Sequence, residues 1–233
     1  NGTACFADFV VVGEEGAIPV PADVPFDALA TLGCAVITGV GAVLNAAGPK
    51  RGARIVVVGT GGVGLNVVQG AVLAGCEKII AVDARIKPLR LAQEFGATHT
   101  FEASTENIVG LVREITDGRG ADFVFDTVGL PETISQALNF SRKGGTVVLT
   151  GLSRTDALAS IAVFPFVMQE KRLIGSLYGS GQPLRDIPRL VELCRDGKLK
   201  LRELATRTYQ LNGVNEALEA LSAGEGARGI IRW

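Results

Sequence analysis

At 233 residues the chain is long enough to bury a substantial core, and 47% hydrophobic with 20% charged residues excludes a disordered or fibrous protein. A net charge of -1, with Lys and Arg interleaved among Asp and Glu, leaves no basic stripe and argues against a nucleic-acid partner. No run of about 18 apolar residues is free of charges and glycine turns, so no membrane span is expected.

The opening Asn1-Gly2-Thr3 has neither an initiator Met nor a signal-peptide pattern and reads as cut from a longer chain. Four cysteines, at 5, 34, 76 and 194, are widely spaced without a C-x-x-C pair, which points away from a disulfide framework or zinc ribbon and toward a reducing, cytoplasmic setting. The one histidine, His99, has no second histidine to join it as a ligand and reads as a structural or surface residue.

In chain order, Phe6 to Val12 suggests a strand, and Pro19, Pro21 and Pro25 then carry the chain in extended form. The Ala- and Gly-rich stretch from Phe26 to Ala47 has few charges and allows close backbone approach, as in a buried helix or pair of helices. Next comes Arg54-Ile55-Val56-Val57-Val58, an aliphatic, β-branched run suited to a strand buried on both faces. It leads into Gly59-Thr60-Gly61-Gly62-Val63-Gly64. Here G-x-G-x-x-G supplies a tight turn at Gly59, unobstructed backbone at Gly61 and close helix packing at Gly64. Val63, Val67, Ala71 and Ala74 then suggest one apolar face of a helix ending at Gly75. A phosphate would sit on the free N–H groups at the start of that helix, where the dipole favours negative charge.

A lone glycine motif is weak, but a second apolar run, Lys78 to Val82, ends at Asp83, 24 residues after Gly59. An acid there can accept hydrogen bonds from ribose hydroxyls, so strand, glycines, helix, strand and acid form one unit. The alternation continues with a helix from about Lys87 to Phe95, a strand near His99 to Phe101 and a helix whose buried face is Ile108, Leu111, Val112 and Ile115. Strands at Ala121 to Asp126, Thr146 to Thr150 and Leu173 to Leu177 follow, with a helix near Thr133 to Phe140. The expected fold is α/β, a doubly wound parallel sheet in the order 3-2-1-4-5-6. Past Tyr178 the pattern shifts. A helix beginning near Asp186 and Pro188, another over Val214 to Leu221, and a closing strand Gly229 to Trp233 look like an appendage.

Several stretches together resemble the zinc-containing, medium-chain alcohol dehydrogenases: Leu32-Gly33-Cys34 with Thr38 to Ala42, the glycine turn through Leu65, Ile79 to Asp83, Leu91-Ala92 with Gly96-Ala97-Thr98, and Gly224 to Gly229. The resemblance implies a Rossmann domain over residues 36–177, flanked by 1–35 and 178–233 as parts of a catalytic domain. It implies that Gly59, Gly61, Gly62, Val63, Gly64 and Asp83 bind NAD, with Thr38 and Val63 against the nicotinamide. Thr150, Gly151, Leu152 and Tyr178 match positions lining the nicotinamide pocket, and Arg228 matches an arginine on the pyrophosphate. Cys34 matches one of three protein ligands of a catalytic zinc whose fourth position is open for water or alcohol. On residues alone, Thr38 could cap a helix, Tyr178 could be an ordinary strand residue, Arg228 a solvated charge, and Cys34 a small buried residue.

The family's other metal ligands, its four-cysteine structural lobe and its proton relay have no counterpart in the chain, so the resemblance implies only a portion of the enzyme. The implied function is NAD-dependent oxidation of an alcohol to an aldehyde or ketone, with zinc held partly by residues outside this chain, and the implied assembly is a homodimer joined along the cofactor-domain sheets. A zinc-free NAD(P)-dependent reductase of the same superfamily is opposed by Asp83 and Cys34. A non-catalytic NAD-sensing module is the alternative from another class.

Overall fold

The structure is a computed structural model and describes residues 5–232. Asn1 to Ala4 and Trp233, the last residue of the expected closing strand, lie outside the described residues. The chain forms two compact units, one of residues 34–181 and one of residues up to 33 together with those from 182 onward.

The expected strand from Phe6 to Val12 does not form. Among the described residues no strand pairs with this segment, and Phe9 and Val11 are almost fully exposed. The first α-helix among the described residues is α1 (Phe26–Leu29), followed by α2 (Ile37–Gly41) between two wider π-type turns, Leu32–Val36 and Ala42–Ala47. By length and composition the helical run Phe26–Ala47 could cross a membrane, at 22 residues and a mean hydropathy of 1.8, which the sequence reading did not anticipate. However, 61% of its apolar window is buried within the protein, as in a core helix.

In the 34–181 unit, β1 (Arg54–Val58), α3 (Gly62–Leu73), β2 (Lys78–Asp83), α4 (Ile86–Glu94), β3 (His99–Glu102), α5 (Ile108–Ile115), β4 (Ala121–Asp126), α6 (Pro131–Phe140), β5 (Ser141–Leu149), α7 (Val163–Met168) and β6 (Arg172–Gly175) alternate along the chain. The strands form one parallel sheet in the order β3-β2-β1-β4-β5-β6, as the alternation predicts. Side chains alternate across it. Val56, Val58, Ile80, Val82, Val124 and Val147 pack with Ile108 and Val112 of α5 and with Ala137, Leu138 and Phe140 of α6. Ile55, Val57, Ile79, Ala81 and Phe125, of the opposite parity, are buried on the other face, where α3 and α4 lie.

Three elements differ from expectation. The α3 helix is not amphipathic: Leu65, Asn66, Val67, Val68, Gln69, Gly70 and Ala71 are all buried, because α2 covers the side that the sheet does not. The approach of α2 to α3 depends on glycine, since a Cβ at Gly39 would stand 2.6 Å from the Asn66 Cβ. The fifth strand starts at Ser141 rather than Thr146, with a register shift against β4 over the intervening residues. The α7 helix, with Phe166 and Ile161 packed on the α5–α6 face, carried no periodic signal because it spans only 6 residues.

The other unit contains α8 (Pro183–Arg195), β7 (Ala205–Gln210), α9 (Val214–Ser222) and β8 (Arg228–Arg232). The α8 helix begins at Pro183 and not near Asp186, so Pro188 lies inside it. Asp186 lies in its first turn and reaches back to accept the N–H of the N-cap residue Gln182 at 2.9 Å. The β7 strand, which the sequence reading missed, pairs in parallel with β8. Ion pairs Asp23–Arg195, at 3.0 Å, and Asp27–Arg232 join the early segment to α8 and β8 within this unit.

Candidate functional site

The three glycines of the turn leaving β1 meet three different surroundings. Gly59 has φ +85, a left-handed conformation that glycine adopts without steric cost. Around Gly61 nothing lies within 4 Å of an added Cβ, so the backbone there is open to a ligand. At Gly64 an added Cβ would run into the Gly59 carbonyl oxygen, so its constraint comes from the turn itself and not from the body of the strand. Gly61 is the N-cap of α3 and makes no side-chain cap bond, so the leading N–H groups of α3, including those of Gly62 and Val63, have no capping side chain. A positive helix end with glycine backbone in front of it suits a phosphate.

Asp83 ends β2 beside this turn. Its Oδ2 accepts the Thr60 N–H at 2.7 Å and the Thr60 hydroxyl at 2.9 Å, and its Oδ1 accepts the Arg85 N–H at 3.1 Å. Arg85 Nε lies 3.9 Å from Oδ1.

Residues that the sequence reading passed over brace the turn from the other side. Thr127, just past β4, donates its hydroxyl to Gly59 O at 2.9 Å and to Val58 O at 3.1 Å. Asp126 is fully buried; its Oδ1 accepts the Val128 and Gly129 N–H groups at 2.7 and 2.9 Å, and its Oδ2 the Thr133 hydroxyl at 2.8 Å. The Asp126 carbonyl accepts the Thr150 and Gly151 N–H groups at 2.8 and 3.0 Å. The loops after β1, β4 and β5 are thereby tied together at the carboxyl ends of the strands, where open α/β sheets bind ligands. The signal that could have found them is Asp126-Thr127-Val128-Gly129, a turn-forming sequence directly after an apolar strand.

The remaining candidates divide between the two units. Thr38 lies within α2 and caps nothing, and its neighbour Gly39 contacts Val63 and Val67 of α3. Leu152 is exposed, at the start of the loop that follows Thr150 and Gly151. Tyr178 is not a strand residue: it has φ +54 and opens a left-handed turn continued by Gly179 and Ser180. That turn lies on α2 and the π-type turn after it: Asn45 of Ala42–Ala47 donates to Gly179 O at 3.1 Å, and a Cβ at Gly41 would stand 2.6 Å from the same oxygen. Burial, with a smaller contribution from the nearby Cys34, raises the Tyr178 phenol above its ordinary value, which puts these two candidates in one neighbourhood. Arg228 belongs to the other unit, at the start of β8, half-exposed, with its guanidinium donating to Ala227 O at 3.1 Å.

Cys34 is exposed, contrary to its reading as a small buried residue, and none of the four cysteines is in a disulfide. Cys76 is the opposite case, its thiol pushed up to about 11 by burial and by Asp122. His99 faces its neighbour, with Nδ1 2.9 Å from the Thr98 hydroxyl. Among the described residues no group of three or more His, Cys, Asp or Glu could hold a metal. One thiolate does not enclose a tetrahedral ion, so the residues present do not make a zinc site by themselves. The glycine turn with Asp83 does fit a dinucleotide.

A parallel sheet in this order, with a glycine turn from its central strand into a helix and an acid closing the next strand, defines a Rossmann-type domain of the medium-chain dehydrogenase kind. The chain belongs to the zinc-binding dehydrogenase family, whose profile matches residues 62–196. Among its relatives, an NDMA-dependent alcohol dehydrogenase of Amycolatopsis methanolica is 38% identical over 229 residues, covering 97% of this chain and 62% of that protein. An S-(hydroxymethyl)glutathione dehydrogenase of Paracoccus denitrificans is 34% identical, covering 100% of this chain and 64% of its own length. The crystal structure of benzyl alcohol dehydrogenase from Acinetobacter calcoaceticus superimposes with a TM-score of 0.91 at 32% identity, covering 95% of this chain and 61% of the other. The chain thus spans about three fifths of the length of the relatives it matches.

Proposed function

We propose that this chain is the NAD-binding portion of a zinc-dependent alcohol dehydrogenase that oxidises an alcohol to an aldehyde or ketone. The observation that carries the reading is the Asp83 carboxylate fastened to the glycine turn by two bonds from Thr60. This pairs a ribose acceptor with a phosphate-binding helix start in one rigid piece. In the proposed role the backbone of Gly59 to Gly64 and the start of α3 hold the pyrophosphate, while Asp83 accepts the adenosine ribose hydroxyls. Thr38, Val63, Thr150, Gly151, Leu152 and Tyr178 border the nicotinamide. Bound there, NAD supplies the hydride acceptor.

Cys34 would contribute one thiolate to a zinc whose remaining protein ligands lie outside this chain; its exposure is compatible with that role. The relatives named as alcohol dehydrogenases support the reaction class, and a cytoplasmic setting belongs to the same reading.

NAD is preferred over NADP in this reading because the Asp83 carboxylate would meet a 2′-phosphate as a like charge. Calorimetric titration of both cofactors tests it: the wild type should bind NAD more tightly, and Asp83→Ser should lose most of that preference. Equal affinities in the wild type would overturn the assignment.

A further inference from the structure

Thr60 occupies a position in the glycine turn where phosphate binding through the backbone requires no side chain at all. Yet its side chain is inside, only 1% exposed, and its hydroxyl donates to a residue 23 positions away. The two oxygens of Asp83 are consequently unequal. Oδ2 receives both the Thr60 N–H, at 2.7 Å, and the Thr60 hydroxyl, at 2.9 Å, whereas Oδ1 receives a single backbone N–H, from Arg85, at 3.1 Å.

We propose that Thr60 is a positioning residue for dinucleotide selectivity: its hydroxyl locks the Asp83 carboxylate in the orientation that presents Oδ1 to the adenosine ribose and denies room to a 2′-phosphate. The proposal rests on the NAD reading of this site.

The physical reason lies in the aspartate side chain. Rotation about its terminal sp³–sp² torsion is soft, with broad wells, so the residue does not set its own orientation. Two donors from one turn residue converging on one oxygen do set it, and both are charge-assisted. Discrimination between a ribose hydroxyl and a phosphate depends on the carboxylate charge staying in place, because the repulsion falls with distance. With the hydroxyl removed, Oδ2 keeps only the Thr60 N–H and Oδ1 the longer bond from the Arg85 N–H, so the carboxylate is freer to turn toward the Arg85 guanidinium, whose Nε is 3.9 Å from Oδ1. That movement would withdraw the acid from the ribose and leave a cation near the place of a 2′-phosphate.

The test is calorimetric titration of the 233-residue chain with NAD and with NADP, for the wild type, Thr60→Val, Thr60→Ala and Thr60→Ser, alongside thermal melts without ligand. Removing the hydroxyl should weaken NAD about tenfold, the scale of one hydrogen bond to a charged group, and should narrow the NAD-to-NADP affinity ratio by a similar factor. Thr60→Ser, which keeps the donor, should retain the wild-type ratio. A hydroxyl-less variant that folds and keeps the wild-type ratio would overturn the proposal, even if it bound both cofactors more weakly, since that is what a purely structural role would produce. A wild type that binds neither cofactor would overturn the NAD reading itself. The two failures are therefore distinguishable, and the Val and Ala variants guard against either one failing to fold.

Discussion

Gly61 and Gly64 stand three residues apart in one turn and meet opposite surroundings, so a side chain should cost stability at Gly64 and little at Gly61. At Gly64 the obstacle is backbone, the Gly59 carbonyl, which cannot move aside as a flexible side chain would. Gly64→Val should therefore lower stability by roughly 1–3 kcal/mol through overpacking and weaken NAD binding as well. At Gly61 a methyl points into open space from a backbone with φ -71, so Gly61→Ala should leave stability within about 0.5 kcal/mol. It should still weaken NAD, because the methyl takes the room that the pyrophosphate needs. Urea melts and cofactor titrations of the two variants check both halves. If both bind NAD like the wild type, the turn is structural only.

At the level of elements, the amino-terminal edge of the sheet is stitched together by one acid. Asp122 of β4 accepts the Arg54 N–H of β1 at 2.8 Å and the Arg142 Nε of β5 at 2.5 Å, so it joins three adjacent strands. Burial alone would raise this carboxyl, but the Arg142 bond and the Arg54 N–H together hold it below the ordinary carboxylate value. A carboxylate depressed in the folded state contributes stability that is present above its unfolded pKa, about 3.9, and lost as pH falls through the lower folded value. Asp122→Ala should cost roughly 1–2 kcal/mol at pH 7, a modest figure because the pair is partly solvated. The gap between variant and wild type should shrink as the pH is taken below about 4. Urea unfolding at a series of pH values measures it, and a gap independent of pH would show that the loss comes from packing alone.

For the whole molecule, the proposed division of labour makes a prediction about this chain by itself. A dinucleotide site assembled within one unit should work without further protein, whereas a single exposed thiolate at Cys34 should retain zinc poorly. The 233-residue chain should thus bind NAD but fail to oxidise alcohols. In a longer protein that supplies the other ligands, zinc and turnover should appear together, and Cys34→Ala should remove both. NADH absorbance with a panel of alcohols, together with metal analysis, checks this. Robust turnover by the chain alone, or a longer enzyme indifferent to Cys34→Ala, would show the metal ligand misassigned.

What could be determined from sequence depended on local physics. Aliphatic β-branched runs, the glycines of the turn and the distance from Gly59 to Asp83 are short-range constraints, and they were enough for the strand order and for the acid beside the turn. Gly75, read as the stop of its helix, has positive φ for the same local reason, as do Gly96, Gly118, Gly197 and Gly224 just past the ends of other helices. Contacts between residues far apart in the chain were decided only by the tertiary structure. The Thr60 hydroxyl found Asp83, the Thr127 hydroxyl found Gly59, and Asp126 became the buried tie between two loops, none of which has a periodic signature. The same limit applied where a partner was missing or added: Phe6 to Val12 has the composition of a strand but no neighbour to pair with, and α3 reads as one-sided yet is enclosed because α2 packs on its second face. Composition and period set what an element can be; which of its faces is buried, and which hydroxyl meets which carboxylate, depends on what the rest of the chain brings alongside.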